Sequence, residues 1–286
     1  MKPAIYDGRA CALGEGPLWH PLRKQLFWFD ILERKLMTQS ANGPQAWEFD
    51  ETVSAAGWVD ESVLLMASAI GLWRVTLDTG ERELICPLEA ENATTRSNDG
   101  RADLWGGFWI GTMGYNAEPG AGAIYRFFKG TLRKVVSDIT VSNTICFAPD
   151  RSCVYYSDTR TRQIMKMPLD DEGWPQDEAS VFVDTSEEML NPDGAVVDAA
   201  GALWVAHWGA GQVASYNHNG KFEKAVALPA QQVTCPAFGG NDFSKMFVTS
   251  ARVNLPEELI ATSPAQGQTF VIEGLATGLA EPRVLL

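Results

Sequence analysis

Leu26-Phe-Trp-Phe29 is a short run of β-favouring, apolar residues halted by Asp30, and the chain repeats it. Runs of the same kind stand at Val63-Leu-Leu-Met66, Gly107-Phe-Trp-Ile110, Cys153-Val-Tyr-Tyr156, Ala202-Leu-Trp-Val205 and Lys245-Met-Phe-Val248, each bounded by Gly, Asp, Pro or Asn. The step from one to the next is roughly 40 to 50 residues, the length of a four-stranded propeller blade. In several repeats a turn and a more amphipathic strand accompany the run: Gly71-Leu77, Gly122-Phe127, Gln163-Met167 and Gly211-Tyr216. Sustained helical periodicity is missing, apart from a turn or two near Glu187-Leu190 and Glu257-Ile260. A two-sheet sandwich is the alternative, but six similar repeats close their edges more naturally around a central channel. The expectation is an all-β, six-bladed β-propeller, with residues 1–286 as a single domain. No Gly/Ser-rich or Pro-rich linker and no low-complexity run divides them.

The 286 residues are 45% hydrophobic, enough for a large core, and carry a formal charge of -13. That charge argues against nucleic acid and anionic membrane as partners, and its field attracts cations instead. The first residues lack the apolar core of a signal peptide, and no stretch approaches the ~18 apolar residues of a membrane span, so a cytoplasmic protein is expected. Five cysteines, an odd number without a CxxC pair, read as buried reduced thiols.

Four polar stretches stand where blades begin: Leu13-Gly-Glu15-Gly-Pro17, Arg96-Ser-Asn98-Asp-Gly100, Ser142-Asn143 and Asn191-Pro-Asp193-Gly194. In a propeller the innermost strands converge on one channel, so these residues can meet although they are far apart in sequence. Two carboxylates and a carboxamide make an oxygen-only set suited to a hard divalent cation. Each stretch also has a plainer reading. Pro192-Asp-Gly194 and Asn98-Asp-Gly100 are common turns, Asn143 can cap one, and Arg96 can sit in a surface ion pair. Glu15, held between two glycines, is the hardest to explain as structure. Trp28, Trp109 and Trp204 read as core; Trp19, Trp105 and Trp208 fall near loops and read as packing as well. His207 ends an inner-strand candidate and reads as structural. Nucleophile elbow, phosphate loop and dinucleotide fingerprint are all missing, which argues against a Ser-based esterase.

The ordered set Leu13-Gly-Glu-Gly-Pro-Leu-Trp-His20, Arg96-Ser-Asn-Asp-Gly-Arg-Ala-Asp103 with Gly111-Thr-Met113, and Asn191-Pro-Asp-Gly-Ala-Val-Val-Asp198 with Gly201-Ala-Leu-Trp-Val205 resembles the gluconolactonase, regucalcin and SMP-30 family of six-bladed propellers. The resemblance runs from about residue 10 to about residue 255. It implies one divalent metal ion (Ca²⁺, Zn²⁺, Mn²⁺, Mg²⁺ or Fe²⁺) at the central channel, held by Glu15, Asn143 and Asp193. It further implies Arg96 and Asn98 against the substrate, and Glu118 of Ala117-Glu-Pro-Gly120 as a substrate-contacting acid. One departure stands out. Thr144 follows Asn143 where the family usually has Gly, so the backbone after this ligand is expected to differ.

The activity implied is hydrolysis of a sugar lactone to its aldonic acid. A cation held by three protein ligands keeps open positions beside a carbonyl. Asp193 either takes the proton of the attacking water or is a ligand only, the cation then generating the nucleophile. Two alternatives remain at this stage: a same-fold esterase or organophosphatase, and a non-catalytic calcium-binding propeller. Oligomeric state cannot be read from the sequence.

Overall fold

The computed structural model describes residues 2–286, arranged as six four-stranded antiparallel sheets. Five blades are continuous in sequence. Their innermost strands are Gly14–His20, Val53–Trp58, Thr95–Ala102, Ser142–Phe147 and Asn191–Val197. The sixth begins with Gln232–Gly239, and its outermost position is filled by the N-terminal strand Ala4–Asp7, paired with Thr269–Glu273.

The apolar runs seen in the sequence are the second strands, and their alternation explains the ring. In Gln25–Asp30, Leu26 and Trp28 pack with Phe247 of the sixth blade, while Phe27 and Phe29 pack with Leu64 and Met66 of the second. Both faces of a second strand are thus covered by a neighbouring blade, which makes its sequence continuously apolar instead of alternating. The pattern holds at Trp109 against Phe108 and Ile110, at Tyr156 against Tyr155, and at Trp204 against Val205. Six hydrophobic clusters result, one at each junction between blades. Trp28, Trp109 and Trp204 are fully buried, as the sequence led us to expect, and Trp19 stacks on Phe247 at 5.4 Å.

Burial falls from the channel outward, from the wholly buried Ser142–Phe147 to the largely exposed Phe222–Ala227. The helix expected near Glu257 is present as Glu257–Thr262. Near Glu187 there is instead a turn, closed by the Met189 amide on the Ser186 carbonyl, with Met189 at φ 57°. No helix of the described residues is long and apolar enough to cross a membrane. The cysteines are all free, and only Cys86 is less than fully buried.

Candidate active site

The polar stretches are neither turns nor blade-leading loops but parts of the innermost strands themselves. In each of the six, the register against the second strand slips by one residue at the same level. Between Glu15 and Leu18 the first strand advances three residues while its partner advances two, from Phe29 to Phe27. The same happens between Ser97 and Gly100, Asn143 and Cys146, and Pro192 and Ala195. A bulge leaves its extra residue unpaired and re-aims the side chains around it. This is why Glu15, Asn98, Asp99, Asn143 and Asp193 gather at one level, all nearly excluded from solvent.

Tight backbone geometry supports each bulge. Gly16 has φ 53°, and a Cβ there would overlap the Ser54 carbonyl oxygen of the next blade. A Cβ on Gly194 would collide with Cys235. Thr144 occupies the left-handed region at φ 62°, unfavourable for a β-branched residue. Its hydroxyl explains why the strain is borne: Oγ1 donates to the Asp193 carbonyl at 2.6 Å and meets Ser157 Oγ at 2.8 Å. The departure from Gly therefore ties the fourth blade to the fifth beside the site. Similar links run from Ser54 to Ser97 (2.8 Å) and from Thr234 to the Gly14 carbonyl (2.6 Å).

The side chains form a directed network. Thr159 Oγ1 donates to the Pro192 carbonyl at 2.7 Å, so it must accept from Asn143 Nδ2 at 2.8 Å. That fixes the amide of Asn143 and leaves its Oδ1 with one donor, Asn98 Nδ2, at 3.2 Å. Asn98 Nδ2 also donates to the Ser142 carbonyl at 2.8 Å, and its Oδ1 accepts from Arg96 Nη1 at 2.8 Å. Asn98 thereby links Arg96 to Asn143. Arg96 is 6% exposed yet has no ion-pair partner among the described residues, so the surface ion-pair reading does not hold.

The carboxylates are held against their usual chemistry. Burial pushes the Glu15 carboxyl upward, and Asp99 adds to it by repulsion. Asp193 is driven well above the ordinary range by burial first, then by Glu15 and Asp99. Asp99 is raised to about 6 by burial, although it accepts the Ile145 amide at 2.7 Å. Desolvation lowers the Arg96 guanidinium to about 10, still charged at neutral pH. The Glu15 carboxylate accepts the Gly16 amide at 2.8 Å, and neither it nor the Asp193 carboxylate receives a side-chain hydrogen bond among the described residues. Mutually repelling buried acids with spare oxygen lone pairs, beside a spare amide oxygen, fit a hard divalent cation. No trio of His, Cys, Asp and Glu alone forms such a group among the described residues.

Of the expected residues, Glu15, Arg96, Asn98, Asn143 and Asp193 come together. Glu118 does not reach that network. It lies after Gly114 at the same end of its blade as Arg96, with its carboxylate folded back on the Asn116 amide (3.1 Å) and side chain (2.9 Å). Sequence reasoning assigned no role to Asp99 or Thr159. Asp99 could have been found from its place beside Asn98; Thr159 carried no signal. Tyr115, exposed and 3.4 Å from Thr52 Oγ1, adds an aromatic edge near Arg96. His207 is fully buried inside its blade, against Gln212 (3.2 Å) and Tyr216 (3.4 Å), and does not line the channel mouth.

The sequence model of the SMP-30/Gluconolactonase/LRE-like region matches residues 13–252. The chain belongs to this family. Among SMP-30/gluconolactonase-like relatives, L-arabinolactonase of Azospirillum brasilense is 33% identical over 280 residues, covering 95% of this chain and 91% of its own. The 6-deoxy-6-sulfogluconolactonase of Pseudomonas putida is 31% identical over 275 residues, 94% of each chain. The solved structure of a calcium-binding protein, regucalcin, from Agrobacterium tumefaciens superposes with a TM-score of 0.96 at 38% identity, covering 99% of this chain and 97% of that one.

Proposed function

We propose that the protein opens a sugar lactone, an aldonolactone of the gluconolactone kind, to the aldonic acid, with one divalent cation held by Glu15, Asn143 and Asp193. The observation that carries this is a buried group of acids around a fixed amide oxygen, with an unpaired guanidinium beside it. The named activities of two relatives, both sugar lactonases, support the same substrate class.

A lactone is a neutral cyclic ester, and its hydrolysis needs an activated water and charge stabilisation at the carbonyl oxygen. The cation, when bound, supplies positive charge where the oxyanion develops. Asp193, at the level of the cation it helps to hold, takes a proton from the attacking water. The acyl carbon–ring oxygen bond then breaks, and the ring oxygen leaves as a hydroxyl after gaining that proton. Arg96 grips hydroxyls of the sugar or the developing oxyanion with the donors that the protein leaves free. Asn98, committed to Arg96 and Asn143, keeps both in register and has one Oδ1 lone pair left for a hydroxyl. Glu118 meets the substrate only if it releases Asn116.

The test is acid release from a panel of aldonolactones, followed with a pH indicator, on protein stripped by chelator and resupplied with single metals. Turnover restored by one of Ca²⁺, Zn²⁺, Mn²⁺, Mg²⁺ or Fe²⁺ supports the proposal. Cation binding without turnover on any lactone overturns it in favour of a binding propeller, and a faster rate on paraoxon than on gluconolactone would favour an organophosphatase.

A further inference from the structure

The C-terminal segment crosses the far end of the channel. After Thr269–Glu273 the chain crosses the face where the innermost strands end: the Thr277 carbonyl accepts the Ala199 amide (2.9 Å), and the Val284 and Leu285 amides donate to Trp58 (2.9 Å) and Gly106 (2.8 Å). The segment therefore spans the fifth, second and third blades. It also sends one charged side chain inward. Glu281, 8% exposed, pairs with Arg101 inside the channel, and its carbonyl is held by Trp58 Nε1 at 2.7 Å.

Arg101 is tied directly to the candidate site. It follows Asp99 by two positions on the same innermost strand, and its Nη2 donates at 3.0 Å to the carbonyl of Ala195, two positions after Asp193. A cavity of about 10 Å³ is lined by Gly16, Asp99, Arg101, Cys235 and Glu281 together, so the ion pair and an acid of the site share one enclosure. A guanidinium is charged at every accessible pH. Left alone here, it would oppose a divalent cation one level above.

We propose that Glu281, delivered by the C-terminal segment, neutralises Arg101 and so preserves the negative potential that binds the cation, coupling the docked C-terminus to cation affinity. This rests on the cation-site reading given above. Coupling of this kind is reciprocal: if the docked segment strengthens cation binding, the bound cation strengthens docking by the same factor. Arg101 and Glu281 touch neither substrate nor cation; they position charge.

Calorimetric titration of the full chain with Ca²⁺, Mn²⁺ and Zn²⁺ separately tests the idea without relying on turnover. Glu281→Gln should weaken binding by about tenfold, because a buried positive charge is then uncompensated. The double variant Arg101→Met/Glu281→Gln should return to within about twofold of the parent, since both charges are gone. A role in packing alone predicts the reverse, with the double variant at least as impaired as the single; that result overturns the proposal. In the unsubstituted protein, hydrogen exchange at the Val284 and Leu285 amides should slow about tenfold on cation saturation, a check that needs no variant to fold. Unchanged exchange with a bound cation overturns the coupling alone. An absence of cation binding in the parent, or binding unaffected by Glu15→Gln, overturns the site reading and the coupling with it.

Discussion

Thr144 offers a test in which two very different substitutions at one position should cost nearly the same. Its backbone sits at φ 62°, which costs a side-chain-bearing residue about 1–2 kcal/mol. Its hydroxyl supplies the hydrogen bond to the Asp193 carbonyl at 2.6 Å and meets Ser157 Oγ at 2.8 Å, in a fully buried place. Thr144→Val keeps the shape and the strain but leaves a buried carbonyl without its donor, a loss of about 1–3 kcal/mol. Thr144→Gly loses the same bond and two buried carbons, about 0.8 kcal/mol each, yet releases about 1–2 kcal/mol of strain, so it too should fall about 1–3 kcal/mol below the parent. The glycine variant should therefore lie within about 1 kcal/mol of the valine one, although it removes more atoms. Urea unfolding followed by tryptophan fluorescence gives both midpoints under identical conditions. A valine variant more stable than the glycine one by more than about 1 kcal/mol would refute the claim that the left-handed backbone at this position is strained.

Three further expectations concern the ring and its site. Gly16→Ala places a Cβ against the Ser54 backbone oxygen at positive φ, and since backbone cannot swing away, a loss of about 3 kcal/mol or more is expected by urea unfolding. His207, lowered to about 4 by burial, is neutral in the fold, so its contribution is complete above the free value of 6.5 and is lost as pH falls from there toward 4, up to about 3 kcal/mol. Asp99, raised to about 6, titrates in the same window with the opposite sign, so the His207 effect is read as the difference in pH slope between the parent and His207→Gln. Glu15→Gln removes one of the mutually repelling buried acids. In chelator it should melt above the parent, while losing the stabilisation of about 2.7 kcal/mol that a cation at a hundredfold excess over its Kd would give; a lower melting temperature in chelator would count against the repulsion.

The ring was legible because its second strands are packed on both faces. Phe27 and Trp28 must both be apolar although they point to opposite neighbours, and that requirement recurs once per blade. The innermost strands were harder to read, since they carry polar residues toward the channel: Arg96-Ser-Asn-Asp99 resembles a turn until the bulge between Ser97 and Gly100 is seen. Glu15 and Asp193 could be singled out by their glycine neighbours, whose small size the bulges demand. Thr159 could not, because its role depends on lying across a blade junction from Pro192, a relation no local pattern encodes. Nor could Glu281 be found, since it lies outside the blades and its partner Arg101 stands on the third blade, 180 residues earlier.

The N-terminal strand Ala4–Asp7 completes the last blade by pairing with Thr269–Glu273, Ile5 opposite Phe270. As the chain emerges from the ribosome, Ala4–Asp7 appears long before Thr269–Glu273 and must wait for the five intervening blades before finding its partner. Closing so long a loop is entropically costly and slow. Until then the unpaired edge is open to the wrong strand, including that of another nascent copy. Ring closure should thus be the late and vulnerable event of folding, and the arrival of Thr269–Glu273, more than the chemistry of the site, should set when a new molecule first becomes competent.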